Sequence, residues 1–339
     1  MCGVSLPVCL EINAQGPSGV FNGVKRLRLA IEGCYPSFLE TDLVMRILRG
    51  LSPVDVVSRV SVHDLLIRGP FSDGSRRRHW VNRSLQFKQQ MFGMSRPRTL
   101  HVSAENPGGS GYQDFFASGC DFGIGHEIRI GDNNYFRMPH WWNYIDFSDH
   151  GIESPDNWQR LGAPIREEEL MRPISWNVDS AHAAAFIVSR LNSERRYLYE
   201  RSSLAIPIKG YGKAFDSSIE DHNRSCFTKR DLLASFRFSF CPENAIFPGY
   251  YTEKIPESFV CGAIPIAYAD NLIRIDFEPK SILNAYNFLD VGVEVGLRES
   301  LASREVMDAL LQTPLRCKPV DLLSLVDFLS NVVMLCRGD

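Results

Sequence analysis

What the chain lacks narrows it first. Its nine cysteines over 339 residues are odd in number and include no C-x-x-C pair, which argues against a disulfide framework and a zinc knuckle and for a reducing compartment. Its eight histidines are scattered, with no H-x-x-x-H and no paired His/Cys spacing, so no metal is expected at the site. No apolar run approaches the roughly 18 residues that a membrane span needs. The first residues, MCGVSLPVCLEINAQGPSGVFNG, lack the basic start and long apolar core of a secretory signal. A formal net charge of −3 offers no basic excess to neutralise nucleic-acid phosphates; the run Arg76, Arg77, Arg78 reads as a solvated loop. The expectation is a soluble, cytoplasmic chain with a disordered leader over 1–24.

What is present is a long, 44% hydrophobic chain, enough for two domains of ordinary size. RLRLAI (Arg26–Ile31) alternates as a strand does. Thr41 then precedes Leu43, Val44, Ile47, Leu48 and Leu51, spaced as on one face of a helix that stops near Gly50. Apolar runs at Val54–Val57, Leu65–Ile67, Leu100–Val102 and Phe122–Ile124 continue the rhythm of an α/β domain with a mostly parallel sheet. Charged residues, Gly and Pro dominate 146–173, the expected linker. The rhythm restarts with a strand at Ala183–Val188, a helix from Asn192 to Arg201, a strand at Leu204–Ile208 and a glycine turn at Gly210–Gly212. The expected divisions are therefore 25–145, 146–173 and 174–315, followed by a helix in 316–339 that packs back on the body.

One stretch concentrates the chemistry: FSFCPENAIFPGYYTEKIPESFVCGAIPIAYAD, residues 238–270. Phe238–Cys241 reads as a strand, with Glu243-Asn244 at its carboxyl end, where open α/β sheets bind ligands. Pro248-Gly249 breaks the chain, and Thr252 stands where it would cap a helix over Glu253–Cys261. Free N–H groups at that helix start, with Lys254 beside them, suit a diphosphate; a capped helix with a plain core role is the alternative on these residues alone.

The wording Glu243-Asn244, Tyr250, Thr252-Glu253-Lys254 and Gly262–Pro265 resembles the signature of glycosyltransferase family 10, the α-1,3/1,4-fucosyltransferases. Departures are Pro242, Ala245 and Tyr251, where that family usually has Phe, Ser or Thr, and Val or Ile. LHVSAENPG (100–108), DFGIGHE (121–127) and YFRMPHW (135–141) are similar, in the same order, to segments of the family's bacterial branch. The similarity spans about residues 25–145 and 180–290.

The resemblance implies a GT-B fold, two Rossmann-like domains facing each other across a cleft. It also implies transfer of L-fucose from GDP-β-L-fucose, with inversion, to a hydroxyl of an N-acetylglucosamine-type acceptor glycan in α-1,3 or α-1,4 linkage. Carried over residue by residue, Glu105 is the base. Arg196 and Lys254 meet the diphosphate, with Arg195 one position away as the competing choice. Asn244, Tyr250, Glu253, Tyr211 and Lys213 line the donor site. No cofactor beyond the donor is implied. His140-Trp141-Trp142 is either core or an aromatic platform, with Trp141 and Trp142 as acceptor-binding candidates. Two readings remain open beside this one: an inverting transferase of another GDP-sugar, and a degenerate glycan- or nucleotide-binding protein.

Overall fold

The structure, a computed structural model, describes residues 25–71, 96–105, 112–180, 182–215 and 228–338. The expected leader, the Arg76–Arg78 run and residues 106–108 of the LHVSAENPG motif lie outside the described residues.

Two parallel sheets form the body. In the first, β1 (Leu27–Glu32), β2 (Val54–Val56), β3 (Leu65–Arg68), β4 (Arg98–Ser103), β5 (Phe122–Gly125) and β6 (Tyr135–Arg137) lie in the order β2-β1-β3-β4-β5-β6. The short pair β7 (Ile145–Asp146) and β8 (Ile165–Arg166) follows. The second sheet takes β9 (His182–Ile187), β10 (Ile208–Tyr211), β11 (Phe236–Pro242), β12 (Ile264–Tyr268) and β13 (Leu283–Asn284) in the order β10-β9-β11-β12-β13. Every pairing within these sheets is parallel. That suits strands such as LLIR and IPIAY, whose residues are buried on both faces with little alternation. The sheets face each other across a cleft, the GT-B arrangement.

The helices used below are α1 (Leu43–Leu51), α2 (Ser193–Ser202), α3 (Lys229–Ala234), α4 (Lys254–Val260), α5 (Val293–Ala302), α6 (Arg304–Gln312) and α7 (Leu322–Arg337). Asp42, not Thr41, caps α1: its carboxylate accepts from Val44 N at 2.9 Å, while the Thr41 hydroxyl donates to Ser37 O at 2.9 Å and closes the preceding turn, Phe38–Thr41. Among the described residues no helix is long and apolar enough to cross a membrane.

Two sequence expectations change. The strand placed at Leu204–Ile208 begins only at Ile208: Leu204 is exposed, and Pro207 has no N–H to give a ladder. The expected linker, 146–173, has structure of its own. It folds into short helical turns and the β7–β8 pair, and buries Phe147, Ile152, Leu161, Ile165 and Leu170.

The halves are joined by charge. Arg137 of β6 grips Asp276 with both terminal nitrogens (2.9 and 2.6 Å) and donates to His126 O (3.2 Å) and Gly249 O (3.4 Å). Arg316 donates to Asp276 O at 2.5 Å and lies over the Trp141 ring, 4.9 Å from its centroid. α7 then returns to the first sheet, packing on α1 and β4; its Phe328 meets the rings of Phe122 and Phe136.

His101 and His126 are buried in the first half, and neither ring nitrogen of either has a hydrogen-bond partner. Burial, reinforced by nearby cations, pushes His101 down to about 4 and His126 to about 3. Both are therefore neutral at pH 7 in the folded chain, whereas the unfolded chain binds their protons below about 6.5. The unfolded state then holds more protons as pH falls, so stability is full above about 6.5 and declines from there towards 4, by roughly 3 kcal/mol per histidine if neither is relieved. The melting temperature should fall between pH 6.5 and 4.5, and a His101→Gln/His126→Gln double variant should lose most of that slope. An equally steep decline in the variant would assign the acid sensitivity to other groups.

Candidate active site

The site begins at the end of β11. Glu243 follows the strand and is only 5% exposed, so its carboxylate needs partners within the protein. It finds them in the next loop. Thr252 N donates at 2.7 Å and Thr252 Oγ1 lies 2.9 and 3.0 Å from the two carboxylate oxygens; Lys254 Nζ reaches Oε2 at 3.0 Å and Thr252 Oγ1 at 2.7 Å. The helix expected to start behind a Thr252 cap is α4, and its N-cap is Glu253. Thr252 fails to cap because its hydroxyl is held by Glu243. The Glu243 carboxylate meets the N–H of Thr252, just ahead of the helix, and Glu253 makes no side-chain cap. Two of the three Lys254 protons are committed, which leaves one for a ligand.

Charge around this knot is settled by mutual pairing. Burial alone would lower the Lys254 ammonium, but Glu243 and Glu253 hold it above an ordinary lysine. Burial would raise Glu253, yet Lys254, Lys229, Arg160 and His140 hold it well below the usual carboxylate range. Tyr250 is pushed up by burial and by the carboxylates of Glu243, Glu105 and Glu253, so its phenol keeps its proton at neutral pH.

The loop that carries Tyr250 is shaped by Gly249. Its φ of +86° is one that L side chains rarely adopt, and a Cβ there would stand 2.3 Å from His126 O. Only glycine lets the second half approach this close to the first. The approach seats the Tyr250 ring against His126, centroids 5.2 Å apart.

α2 delivers a guanidinium to the same strand end. Arg195 donates to Glu243 O (3.0 Å), Pro242 O (3.1 Å), Arg190 O (3.1 Å) and Asn244 Oδ1 (2.7 Å). The sequence reading preferred Arg196, and here the structure differs: Arg196 is exposed. Arg195, Leu198 and Ser202 form the buried stripe of the helix, and Arg196 lies a hundred degrees round from Arg195. The i, i+3 step from Arg195 to Leu198 is the sequence signal that distinguishes the two.

The two halves meet in a cavity of about 330 Å³. From the second half come Asn244, Tyr250, Thr252, Glu253 and Lys254; from the first come Tyr35, Thr41, Glu105, His140 and Tyr144, among others. Glu105 stands just past the carboxyl end of β4, with its N–H 3.4 Å from Ser103 Oγ. Five of the expected site residues thus share one wall-to-wall space: Glu105, Asn244, Tyr250, Glu253 and Lys254. Tyr211 and Lys213 do not line it. They sit at the carboxyl end of edge strand β10, where Tyr211 packs on Phe236 and lies under the Lys209 ammonium.

Trp141 and Trp142 require a correction as acceptor platforms. They are 0% and 7% exposed, and their rings are taken up by Phe277, Arg316, Phe136 and each other, so neither has a face left for a sugar. Of that triplet, His140 lines the cavity. Tyr35, Thr41 and Tyr144 were missed by sequence reasoning because polar and aromatic residues on short turns carry no periodic signal.

Comparisons with known proteins bear on the fold and on the stretch that carries the second half of the site. Residues 179–293 match the family model described as glycosyltransferase family 10 (fucosyltransferase), C-terminal. The α-(1,3)-fucosyltransferase FucT of Helicobacter pylori is 27% identical over 135 residues, a match that takes in 39% of this chain and 27% of that relative. A crystal structure of an α1,3-fucosyltransferase superposes with a TM-score of 0.64 at 17% identity, over 97% of this chain and 95% of that one. An α1,3-fucosyltransferase crystallised with GDP-fucose gives 0.61 at 16% identity, over 95% of each chain. Residues 179–293 are thus similar to the C-terminal part of glycosyltransferase family 10, and nearly the whole chain shares the fold of the α1,3-fucosyltransferase crystal structures.

Proposed function

We propose that the protein transfers L-fucose from GDP-β-L-fucose to a hydroxyl of an acceptor glycan, with inversion and in α-1,3 linkage. The observation that carries this reading is the shared cavity, lined both by a carboxylate of the first half, Glu105, and by a cation of the second, Lys254. The donor in the related crystal structure and the name of the H. pylori relative support the sugar and the linkage. Residues 25–145 are then the acceptor-side domain and 174–315 the donor-side domain.

Inversion needs one group to take the acceptor proton and others to stabilise the charge that builds on the leaving diphosphate. Glu105 takes the first role. Lys254, with one uncommitted N–H, and Arg195, four of whose contacts already fix its fork, take the second. These cations, rather than a metal, meet the diphosphate in this reading. Glu253 accepts from hydroxyls of the donor. The choice of donor is tested by thermal shift. A ligand at a hundred times its dissociation constant stabilises by ~2.7 kcal/mol, so GDP-fucose should raise the melting temperature well beyond GDP-mannose at equal concentration. Equal shifts would favour a transferase of another GDP-sugar.

Clamp and base are separable. Lys254→Ala and Arg195→Ala should weaken GDP by roughly 1.5 to 3 kcal/mol each, the worth of a charge-assisted hydrogen bond, whereas Arg196→Ala should stay within about twofold because Arg196 is exposed on the other side of α2 from Asn244, which Arg195 holds at the cavity. Titration calorimetry on the folded variants reads this directly. Undiminished GDP affinity in Lys254→Ala would remove that lysine from the donor site.

Glu105→Gln keeps shape and hydrogen bonding while removing basicity. GDP-fucose affinity should hold within about threefold and transfer should drop by ~10² to 10⁴. Near-normal transfer with normal donor binding would falsify the base assignment and turn attention to Glu127, which lies near the end of β5.

A further inference from the structure

One carboxylate of the cavity is tethered by charge alone. Glu253 is 8% exposed and lines the space, yet among the described residues its side chain makes no hydrogen bond, and it does not cap α4. A carboxylate so placed needs partners. Two cations supply them, and both act on the same atom: Lys254 Nζ stands 4.0 Å from Glu253 Oε1, and Arg160 Nη2 stands 3.8 Å from it. Oε2 is in neither ion pair. The carboxylate is therefore turned with one oxygen between two cations and the other left to accept hydrogen bonds.

Lys254 is already engaged by Glu243 and Thr252, at 3.0 and 2.7 Å. Of the other groups that act on Glu253, Lys229 is bound to Glu257, and His140 belongs to the first half. Arg160 reaches it from a different direction. It ends the 3-10 turn Asp156–Arg160 in the 146–173 stretch and does not itself line the cavity. The residues after it are seated on α3. Leu161 is 2% exposed, and its carbonyl accepts from Arg230 N at 3.1 Å. Gly162 has a φ of +99°, and a Cβ there would stand 2.6 Å from the Thr228 side chain, so the chain packs directly against the start of that helix. Stability alone gives little reason for the Arg160 pair: its side chain is 60% exposed, and an ion pair that open to water adds little to folding.

We propose that Arg160 is a positioning residue: from outside the cavity it holds Glu253 Oε1, so that Oε2 is presented to hydroxyls of the bound donor. The inference rests on the fucosyl-transfer reading above and adds that donor recognition depends on a residue of the 146–173 stretch. The seating of that stretch on α3 and the setting of the donor-site carboxylate are then linked through one side chain.

The test measures GDP-fucose affinity by calorimetry on the full chain and on Arg160→Gln, Arg160→Lys, Glu253→Gln and the double variant Arg160→Gln/Glu253→Gln. Glu253→Gln should weaken GDP-fucose about tenfold, the scale of a lost hydrogen bond to a charged group. Arg160→Gln should weaken it about fivefold while the melting temperature moves by less than about 2 °C. Arg160→Lys keeps the cation and should bind within about twofold of the unaltered chain. In the double variant the losses should not multiply: its affinity should match that of Glu253→Gln within about twofold, because a residue that acts only through Glu253 has nothing left to hold. The proposal is overturned by unchanged affinity in Arg160→Gln or in Glu253→Gln, or by a loss that Arg160→Lys does not recover. It is also overturned by losses that multiply in the double variant, which would put Arg160 on the ligand itself, and by a large fall in melting temperature with Arg160→Gln, which would assign the residue to folding. If the unaltered chain does not bind GDP-fucose, it is the transfer reading beneath the proposal that fails.

Discussion

A carboxylate buried at the end of a strand governs this site. A buried carboxylate needs partners, and the chain after β11 provides them for Glu243: Thr252 by backbone and hydroxyl and Lys254 by its ammonium, while Arg195 of α2 holds the backbone carbonyls of Pro242 and Glu243. Removing one member would leave a buried charge uncompensated, which costs about 3 to 5 kcal/mol where it has been measured. The loop is therefore held in one conformation before any ligand arrives. Lys254 is the product of that constraint. Its position is fixed by a carboxylate it partly neutralises, and what it offers a ligand is one directed N–H rather than a free charge.

The same loop joins the halves. Gly249 lets the second half close to the carbonyl of His126, Arg137 ties that contact to Asp276, and Tyr250 fills the remaining gap against the His126 ring. Contacts made for docking thus place the loop's carboxylate and cation opposite Glu105. Under the proposed transfer, proton removal and leaving-group stabilisation fall to the two halves, so the contacts of Arg137 and Gly249 that hold the halves together also bear on the distance between the two tasks. Catalysis by positioned groups is sensitive to displacements of about 1 Å. In the proposed transfer the interface therefore bears on catalysis even where it touches no substrate.

How much of this was legible in the sequence follows the range of each interaction. β1, α1, β4, β5 and β11 were readable because their apolar patterns are local and their ends carry turn residues. The Glu243, Thr252 and Lys254 cluster was readable as a motif, but its internal pairing was not: that Thr252 answers Glu243 instead of capping α4 depends on how deeply the strand end is buried. Arg195 against Arg196 turned on the phase of one helix, visible only in the step to Leu198. Trp141 and Trp142 stayed undecided between core and platform because an aromatic pair beside a cleft motif looks the same whether it faces the cleft or the interior, and Phe277 and Arg316, which pack on Trp141, come from more than a hundred residues away. The 146–173 stretch hid its structure because short turns bury isolated residues without a period.

The polarity of the first-sheet wall follows from the same burial logic at a different place. Asp42 is needed to cap α1, and desolvation raises its carboxyl above an ordinary aspartate. The Tyr35 hydroxyl relieves it, and in doing so turns from a group that can donate into one that can only accept. A capping requirement inside the core is thereby transmitted to the surface of the cavity as a fixed hydrogen-bond polarity. The second half shows the counterpart, where Glu243 and Thr252 take one Lys254 contact each and leave one. In both walls the groups a ligand meets are what remains after buried carboxylates have been satisfied, so the recognition properties of the cleft are set by charges that no ligand touches.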